Sequence, residues 1–231
     1  MYTVDDVEAA GGYDVLYSDA PFGFNNKGVN GAAEKHYRTL SVKELMALPV
    51  RRLGAPDSLH FMWAPYAFIV EKHQAHDVMK AWGYEPKTVA FVWVKRTAGG
   101  GDHVGTGFYT RANTEVCIVG TRGRGRDLIV DRGVRQLLDE VAADEVAADD
   151  TAALEPEVFA SVVGRHSAKP AELRSRVERL VGPGRTMLEV FARERAANWD
   201  CVGDEVPGGA DVSLVVTSRQ MTIPAVAAGG R

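Results

Sequence analysis

The chain has 231 residues, of which 45% are hydrophobic and 25% are charged, a balance typical of one soluble α/β domain with a full core. No stretch is long and apolar enough for a bilayer crossing, no basic and apolar leader opens the sequence, and the two cysteines, Cys117 and Cys201, are too few for the usual metal cluster. We therefore expect neither a membrane protein, nor a secreted protein, nor a metal centre, and a cytoplasmic protein is favoured. The net charge of −4, taken alone, would argue against a nucleic-acid partner.

Strand-like and helix-like segments alternate along most of the chain, which predicts an α/β fold with a mostly parallel sheet flanked by helices. The predicted strands cover residues 13–18, 58–64, 87–95, 114–120, 186–191 and 199–203. The predicted helices begin at Ser41, which opens a capping box with Glu44, and cover residues 68–82 and 169–180. Loops are predicted over residues 25–37 and 97–107. A single domain accounts for residues 1–231, with its core over residues 12–207.

The acidic residues are concentrated in one segment of the chain. Residues 127–160 contain ten acids and two bases, a net charge of −8, so the remaining residues carry +4. An acidic segment is often only a solvated surface, yet the basic remainder suits a polyanionic partner such as nucleic acid. Residues 139–150 repeat Asp-Glu-Val-Ala-Ala twice, which predicts an insertion that is either a short helix or a mobile flap. Residues 208–231 are predicted to form a flexible tail, with strand-like residues at 212–216.

The tetrapeptide Asp19-Ala20-Pro21-Phe22, directly after the first buried strand, has the chemistry that methylation of an exocyclic base amine requires. The adenine amine is a poor nucleophile because its lone pair is delocalised into the ring. A carboxylate and a backbone carbonyl beside the proline can accept its N–H hydrogens and stabilise the positive charge that grows on the nitrogen. Phe22 could stack against the base, although it could also be an ordinary core residue. Asp19, as an acid at the end of a strand, could also have no other role than to cap a helix.

Further short motifs follow this tetrapeptide in a fixed order along the chain. Each motif alone is a weak signal, whereas their order is specific. The series consists of Tyr37-Arg38-Thr39-Leu40-Ser41, Leu48-Pro49-Val50, Phe61-Met62-Trp63, Ala81-Trp82-Gly83-Tyr84, Val92-Trp93-Val94-Lys95, the run Gly105-Thr106-Gly107-Phe108-Tyr109-Thr110-Arg111-Ala112-Asn113-Thr114-Glu115, His166-Ser167-Ala168-Lys169-Pro170, and Leu188-Glu189-Val190-Phe191-Ala192-Arg193.

In this order the motifs resemble those of the N6-adenine methyltransferase family typified by the catalytic subunit of the eukaryotic messenger-RNA adenine methyltransferase, which has many bacterial and phage members. The likeness covers about residues 12–207, and Ala20 and Phe22 replace the second residue and the aromatic of the usual Asp-Pro-Pro-Trp. It implies a Rossmann-like methyltransferase fold with a permuted motif order, in which the catalytic strand precedes the cofactor-binding strand. S-adenosyl-L-methionine is the implied cofactor. The permutation explains why no Gly-x-Gly-x-x-Gly turn, expected in a nicotinamide enzyme, follows the first strand.

The resemblance also implies roles for residues around the cofactor. Lys169 would meet the methionine carboxylate of the cofactor in a charge-assisted contact, although a lysine at this place could simply be a solvated helix start. Glu189 would accept hydrogen bonds from both ribose hydroxyls, as the strand-end acid of dinucleotide-binding folds does. The other residues predicted near the cofactor are Phe191, Arg193, Asn198 and the pair Asp204-Glu205, which replaces an Asn-Gln pair of the family, with His166 as a further neighbour.

On the substrate side, Arg111, Asn113 and Glu115 follow the glycine-rich loop and are predicted to organise the bound nucleic acid. Three arginines that alternate with glycines further along the chain indicate either a loop that contacts phosphates or a loop that is only exposed to solvent. These arginines are Arg122, Arg124 and Arg126.

The sequence therefore predicts an S-adenosylmethionine-dependent methyltransferase acting on the exocyclic amine of adenine, in DNA rather than RNA, with a target base that is unpaired or rotated out of a duplex. RNA as the substrate and cytosine N4 as the target remain as alternatives. A third alternative is a non-catalytic, nucleic-acid-binding partner subunit. The departures from the family pattern at Ala20 and Asp204-Glu205 keep this alternative open. The presence of Asp19, Lys169 and Glu189 argues against it. Association as a homodimer or with a partner subunit is also open.

Overall fold

The structure is a computed structural model that describes residues 1–23, 39–97, 101–102, 109–139 and 169–213. The predicted loop at 25–37, most of the predicted loop at 97–107, the motif residue Phe108, the repeat after residue 139, His166 and the tail after residue 213 lie outside these ranges. The strands are β1 (Tyr2–Thr3), β2 (Tyr13–Asp19), β3 (Gly54–Ala64), β4 (Glu85–Val94), β5 (Thr114–Arg122), β6 (Leu137–Asp139), β7 (Met187–Val190), β8 (Asp200–Val202) and β9 (Val212–Ser213). The helices are α1 (Val4–Ala9), α2 (Val42–Ala47), α3 (Tyr66–Val70), α4 (Gln74–Ala81) and α5 (Glu172–Val181).

Within the described residues, seven strands form the main sheet in the order β6-β4-β5-β3-β2-β7-β8, and β1 pairs with β9 in a separate two-stranded sheet. In the main sheet β5 runs antiparallel to both of its neighbours, and each of the other pairs is parallel. The predicted fold class, a mostly parallel α/β sheet flanked by helices, is confirmed. None of the helices in the described ranges has the length and apolar character that a membrane span requires.

Two hydrophobic clusters cover the two faces of the sheet and define three layers. One face packs against α1, α2 and α4 through residues such as Leu16, Leu45 and Val78. The other face packs against α5. The apolar residues of α5 recur at the spacing of one helical face, with Leu173, Val177 and Val181 buried, and this periodicity is what the sequence displays. The face that carries α5 also carries the charged residues of the candidate site.

The helix predicted over residues 68–82 is wrong as a single element, because the structure divides it into α3 and α4. His73 interrupts the helical path with a φ of 52°, in the left-handed region that ends a right-handed helix. The hydrophobic periodicity continues across this residue, since Phe68 and Ala75 are both buried in the same cluster. A pattern of burial alone therefore does not reveal the break.

The described part of the predicted acidic insertion, residues 127–139, is attached to the main sheet. Leu137–Asp139 forms β6, which extends the sheet next to β4. Arg176 of α5 fixes this strand by donating hydrogen bonds to the carbonyl oxygens of Arg135 and Leu137, at 2.8 and 2.6 Å. Residues 140–160 of the predicted insertion lie outside the described ranges.

Candidate active site

The candidate site lies at the edge of the sheet where β2 and β7 end. These two strands are neighbours, and the chain continues from β2 to β3 on one side and from β7 to β8 on the other. In an open α/β sheet, the crevice at such a reversal of strand order is the usual ligand site. Asp19 is the last residue of β2, and Glu189 is the last but one of β7, so both predicted site acids come to this edge.

The register of the strands also places both acids on one face of the sheet. Tyr17 pairs with Glu189, and Asp19 pairs with Trp63. Since side chains alternate along a strand and paired residues share a face, Tyr17, Asp19, Glu189 and Trp63 project to the same side. Tyr17 and Trp63 belong to the cluster that packs against α5, so this is the α5 face.

Lys169, just before α5, closes the site from the other layer. Its Nζ lies 2.8 Å from Oδ2 of Asp19 and 3.3 Å from Oε2 of Glu115, and the side chain is 9% exposed. Burial of the ammonium is the largest single influence on the pKa of Lys169 and lowers it, but the two carboxylates together raise that pKa above its ordinary value. Lys169 is therefore held as a cation beside Asp19.

Glu115 and Lys95 extend this contact into an alternating series of charges. Oε1 of Glu115 lies 2.5 Å from Nζ of Lys95, whereas Oε2 of the same carboxylate faces Lys169. Burial raises the pKa of Glu115, and the neighbouring Lys169 and Lys95 more than compensate, so that its pKa falls below the usual value. Glu115, predicted to organise the substrate, thus contacts the lysine that holds Asp19. Lys95 had no predicted role.

Glu189 is engaged by an arginine that the sequence analysis did not identify. Arg174 of α5 donates from Nε to Oε2 of Glu189 at 2.7 Å and from Nη2 to Oε1 at 3.2 Å. Its Nη1 donates to Oε1 of Glu194 at 3.0 Å. Glu189 itself is only 5% exposed. On a helix where Leu173 and Val177 mark the buried face, Arg174 reads in the sequence as a surface residue, so no local signal distinguishes it.

The residues after Asp19 lie in a tight backbone turn. The carbonyl oxygen of Ala20 accepts the N–H of Phe22 at 2.8 Å, and the carbonyl oxygen of Pro21 accepts the N–H of Leu40 at 2.8 Å. The turn fixes the Ala20 carbonyl without a proline at that position. A carbonyl oxygen has two lone pairs, so the Ala20 carbonyl keeps acceptor capacity.

Phe22, predicted either to stack against the base or to be an ordinary core residue, is buried in the structure, and its stacking against the base stays a prediction. Phe22 is 4% exposed, and its ring lies 4.8 Å from that of Phe68, centroid to centroid. Its faces are covered by core residues. An aromatic ring that is accessible at the same edge belongs instead to Tyr66, which begins α3 after β3, is 46% exposed and lies with its hydroxyl 3.2 Å from Oγ1 of Thr114.

The loops after β7 and β8 run side by side at this edge. Phe191, directly after β7, has a φ of 66°, a conformation that is uncommon for a non-glycine residue and often found at functional sites. Arg193 lies 3.8 Å from Glu205, measured from Nε to Oε1, so the two loops are also joined by charge. Asp204 directly follows Gly203 in the loop after β8.

Gly203 is required where these two loops meet. A Cβ at this position would overlap the carbonyl oxygen of Ala192 and lie 2.7 Å from its nitrogen. We therefore expect Gly203→Ala to lower the free energy of unfolding by about 1–3 kcal/mol, as overpacking against backbone does. Gly101→Ala is the matched control, because among the described residues its Cβ would meet only the Thr97 hydroxyl, at 3.5 Å. Equal denaturant midpoints for the two variants would contradict the close approach.

Asn198 and the three arginines between Arg122 and Arg126 are not brought to the edge that holds Asp19. Asn198 stands just before the amino end of β8, whereas Glu189 lies near the carboxyl end of the parallel strand β7. Arg122 is the last residue of β5, which is antiparallel to β3, so it and the arginines after it lie at the opposite edge of the sheet.

Two of these arginines also have structural partners at that opposite edge. Arg122 donates from Nη1 to the carbonyl oxygens of Arg51 and Gly54, at 2.8 and 2.9 Å. Arg124 contacts Asp57 through its backbone N–H at 2.7 Å and its guanidinium at 3.1 Å. Arg126 is exposed. Contact of these three residues with phosphates stays a prediction, but it would concern a surface away from Asp19.

Arg111 and Asn113, by contrast, stand at the same edge of the sheet as the candidate site. Both directly precede β5, whose amino end lies at the same edge as the carboxyl end of β3. The carbonyl oxygen of Asn113 accepts the N–H of Lys95 at 2.8 Å, and Arg111 is exposed. Among the residues that the structure describes, no three His, Cys, Asp or Glu side chains converge as a metal site would require.

The chain is similar to a known methyltransferase and to one family of proteins. The chain is 28% identical over 215 residues to a Type II methyltransferase, M.MunI, from a Mycoplasma species, an alignment that covers 84% of this chain and 78% of the relative. The sequence model of the MT-A70 family matches residues 13–205, which include Asp19, Glu115, Lys169 and Glu189. The resemblance given by the ordered motifs is thereby confirmed, and the chain belongs to the MT-A70 family.

Proposed function

We propose that the protein is an S-adenosylmethionine-dependent methyltransferase that modifies the N6 amine of adenine in DNA. The observation that carries this proposal is the 2.8 Å contact between Nζ of Lys169 and Oδ2 of Asp19. It joins the acid of the proposed amine-binding motif to the lysine of the proposed cofactor site, two residues that are 150 positions apart in the sequence. This contact supports the proposal, because it brings the proposed amine site and the proposed cofactor site to one edge of the sheet.

The charged residues at this edge fit the chemical groups of S-adenosylmethionine. The ammonium of Lys169 suits the methionine carboxylate, and the carboxylate of Glu189 suits the ribose hydroxyls. A carboxylate offers about four lone-pair positions, so Glu189 can accept from two hydroxyls while Arg174 occupies two positions. When bound, S-adenosylmethionine would supply the methyl group on a sulfonium, an already activated donor.

The chain's own contribution would be to hold the adenine amine and to stabilise its developing charge. Oxygens of Asp19 and the carbonyl oxygen of Ala20 would accept the two N–H hydrogens of the amine. Acceptance by these oxygens favours the tetrahedral nitrogen, whose lone pair is no longer delocalised, and the negative charge of Asp19 stabilises the positive charge that appears there. No strong base is needed, because the amine becomes acidic once it carries the methyl group.

The similarity to a Type II methyltransferase favours DNA as the substrate. In duplex DNA the amine of a paired adenine is not accessible to a side chain at the end of β2, so the base would have to rotate out of the stack. The exposed ring of Tyr66 and the exposed Arg111 stand at the edge where such a base and its backbone would arrive.

The experiment that tests the proposal measures the binding of the cofactor and the formation of the methylated product. We expect the purified protein to bind S-adenosylmethionine in a calorimetric titration, and DNA from cells that express it to contain N6-methyladenine by mass spectrometry. Lys169→Met should weaken cofactor binding by about tenfold to a hundredfold, the value of one buried charge-assisted hydrogen bond. Lys72→Met is the matched control, because Lys72 is exposed and contacts only Glu71 among the ion pairs of the described residues.

Each of the alternatives has its own outcome in this experiment. Methylated adenine in RNA alone would replace DNA by RNA as the substrate, and N4-methylcytosine would move the target to another base. Absence of any S-adenosylmethionine binding would reject the enzymatic function and leave a nucleic-acid-binding partner subunit.

A further inference from the structure

Arg174 has no part in the proposed chemistry, yet it makes the most extensive contacts of any side chain with Glu189 in the described part of the chain. The guanidinium meets the carboxylate in the two-pronged geometry of a bidentate pair, at 2.7 and 3.2 Å. Such a pair fixes the plane of the carboxylate as well as neutralising it. The side chain of Arg174 is 15% exposed and that of Glu189 is 7% exposed, so solvent screens the pair weakly.

The surroundings of Glu189 are otherwise unfavourable for a negative charge. Burial raises the pKa of Glu189 and is the strongest influence on it; Arg174 opposes this effect, and the charges of Asp19 and Glu194 raise the pKa further, so that the pKa lies above its ordinary value even with Arg174 in place. Without Arg174, the carboxyl group would be a buried acid among other acids. The titratable groups that face it from the packed elements are Tyr17 and Asp19 of β2, Cys201 of β8, Glu194 after β7 and Arg174 of α5.

We propose that Arg174 is a positioning residue for the cofactor, which keeps the carboxylate of Glu189 ionised and oriented for the two ribose hydroxyls. This inference rests on the proposed function, since it assumes that Glu189 receives the ribose. A protonated carboxyl group has lost one acceptor oxygen and cannot accept from both hydroxyls in the same way. Arg174 therefore contributes to cofactor affinity through Glu189 rather than through a contact of its own.

The proposal gives a pH dependence with a definite sign. In the wild-type protein Arg174 limits the rise in the pKa of Glu189, so the affinity for S-adenosylmethionine should stay constant down to a lower pH than in a variant that lacks Arg174. In Arg174→Met the pKa of Glu189 rises, because burial and the neighbouring acids are then unopposed. As the pH falls below the raised pKa, the affinity of this variant should fall by about tenfold per pH unit. Raising the pH should restore it.

The experiment is a calorimetric titration of S-adenosylmethionine into the wild-type protein and into Arg174→Met, Arg174→Lys and Glu189→Gln at several pH values. Arg174→Lys keeps the charge but loses the fork, so it should bind more weakly than wild type with a flat pH profile. Adding Arg174→Met to Glu189→Gln should cause little further loss of affinity for S-adenosylmethionine. Arg179→Met is the matched control on the same helix, because Arg179 pairs with Asp131 at the surface and should leave affinity and pH profile unchanged.

The outcomes separate this inference from the function on which it rests. If the wild-type protein does not bind S-adenosylmethionine at any pH, the proposed function fails. If it binds, and Arg174→Met has an unchanged affinity or an equal loss at every pH, the positioning role is overturned. If Arg174→Met shows no cooperative unfolding transition, Arg174→Lys becomes the test variant. An affinity of Arg174→Lys equal to that of wild type, or an affinity that falls as steeply as tenfold per pH unit, would then overturn the proposal.

Discussion

Replacing Asp19 with Ala is expected to lower the rate of methyl transfer by about a hundredfold to a thousandfold, the usual cost of removing one group that stabilises charge in a transition state. Alanine has no oxygen to accept the amine hydrogen and no charge to oppose the positive nitrogen. Asparagine would be a weaker test, because it keeps an acceptor oxygen in the same place. The affinity for S-adenosylmethionine should change far less than the rate, since Lys169 and Glu189 remain.

The natural control for this variant is on the same strand. Asp14, near the other end of β2, accepts the backbone N–H of Thr186 at 3.0 Å and lies away from the candidate site. Asp14→Ala should therefore affect stability and leave the rate of transfer per folded molecule unchanged. The measurement is the single-turnover rate with saturating cofactor and DNA. A rate for Asp19→Ala equal to that of Asp14→Ala would remove Asp19 from the chemistry.

Replacing Phe22 with Ala is expected to lower the free energy of unfolding by about 3–5 kcal/mol, the cost of truncating a buried aromatic side chain. The reason is its position against Phe68, with 4% of its surface exposed. Phe22→Leu should recover much of that stability, since it refills most of the volume without an aromatic face. If Phe22 acts as core, Phe22→Leu should also keep most of the methylation rate.

The exposed aromatic ring at the same edge supplies the comparison. Tyr66→Ala should change the free energy of unfolding by no more than about 0.5–1 kcal/mol, because little of its contact is internal. Equilibrium unfolding in denaturant, followed by the rate assay on each variant, distinguishes the two residues. A stable Phe22→Leu protein that has lost methylation would restore the stacking role that the sequence predicted for Phe22.

The parts of the site that the sequence predicts well are those carried by chain order and by strand ends. A buried run that ends in an acid places that acid at a sheet edge, which is how Asp19 and Glu189 could be located before the structure. The resemblance to the family further implied that one strand carries the proposed amine site and the other the cofactor site, whereas the structure shows that the two strands are neighbours. Lys169 was located by its motif, but its direct contact with Asp19 depends on the packing of α5 across the sheet.

What the sequence does not reveal depends on partners that are distant in the chain. Arg122 and Arg124 have the same Arg-Gly spacing, yet the first supports two carbonyl groups and the second contacts Asp57. Phe22 is buried in a cluster that includes Phe68, a residue 46 positions further along the chain. Arg174 likewise has the spacing of a surface residue, and only the position of β7 beside α5 gives it a buried partner.

The antiparallel direction of β5 has a consequence for how the site can vary. Val94 and Thr114 are paired neighbours, and the N–H of Lys95 donates to the carbonyl oxygen of Asn113 at 2.8 Å, so the chain leaves the sheet and returns to it at one point. The entropy of closing such an excursion grows only with the logarithm of its length, by about 0.6 kcal/mol for each doubling. Insertions and deletions between residues 96 and 112 would thus leave the strand register of Asp19, Glu115 and Glu189 intact. Evolution could therefore vary the length of this segment at low cost to folding.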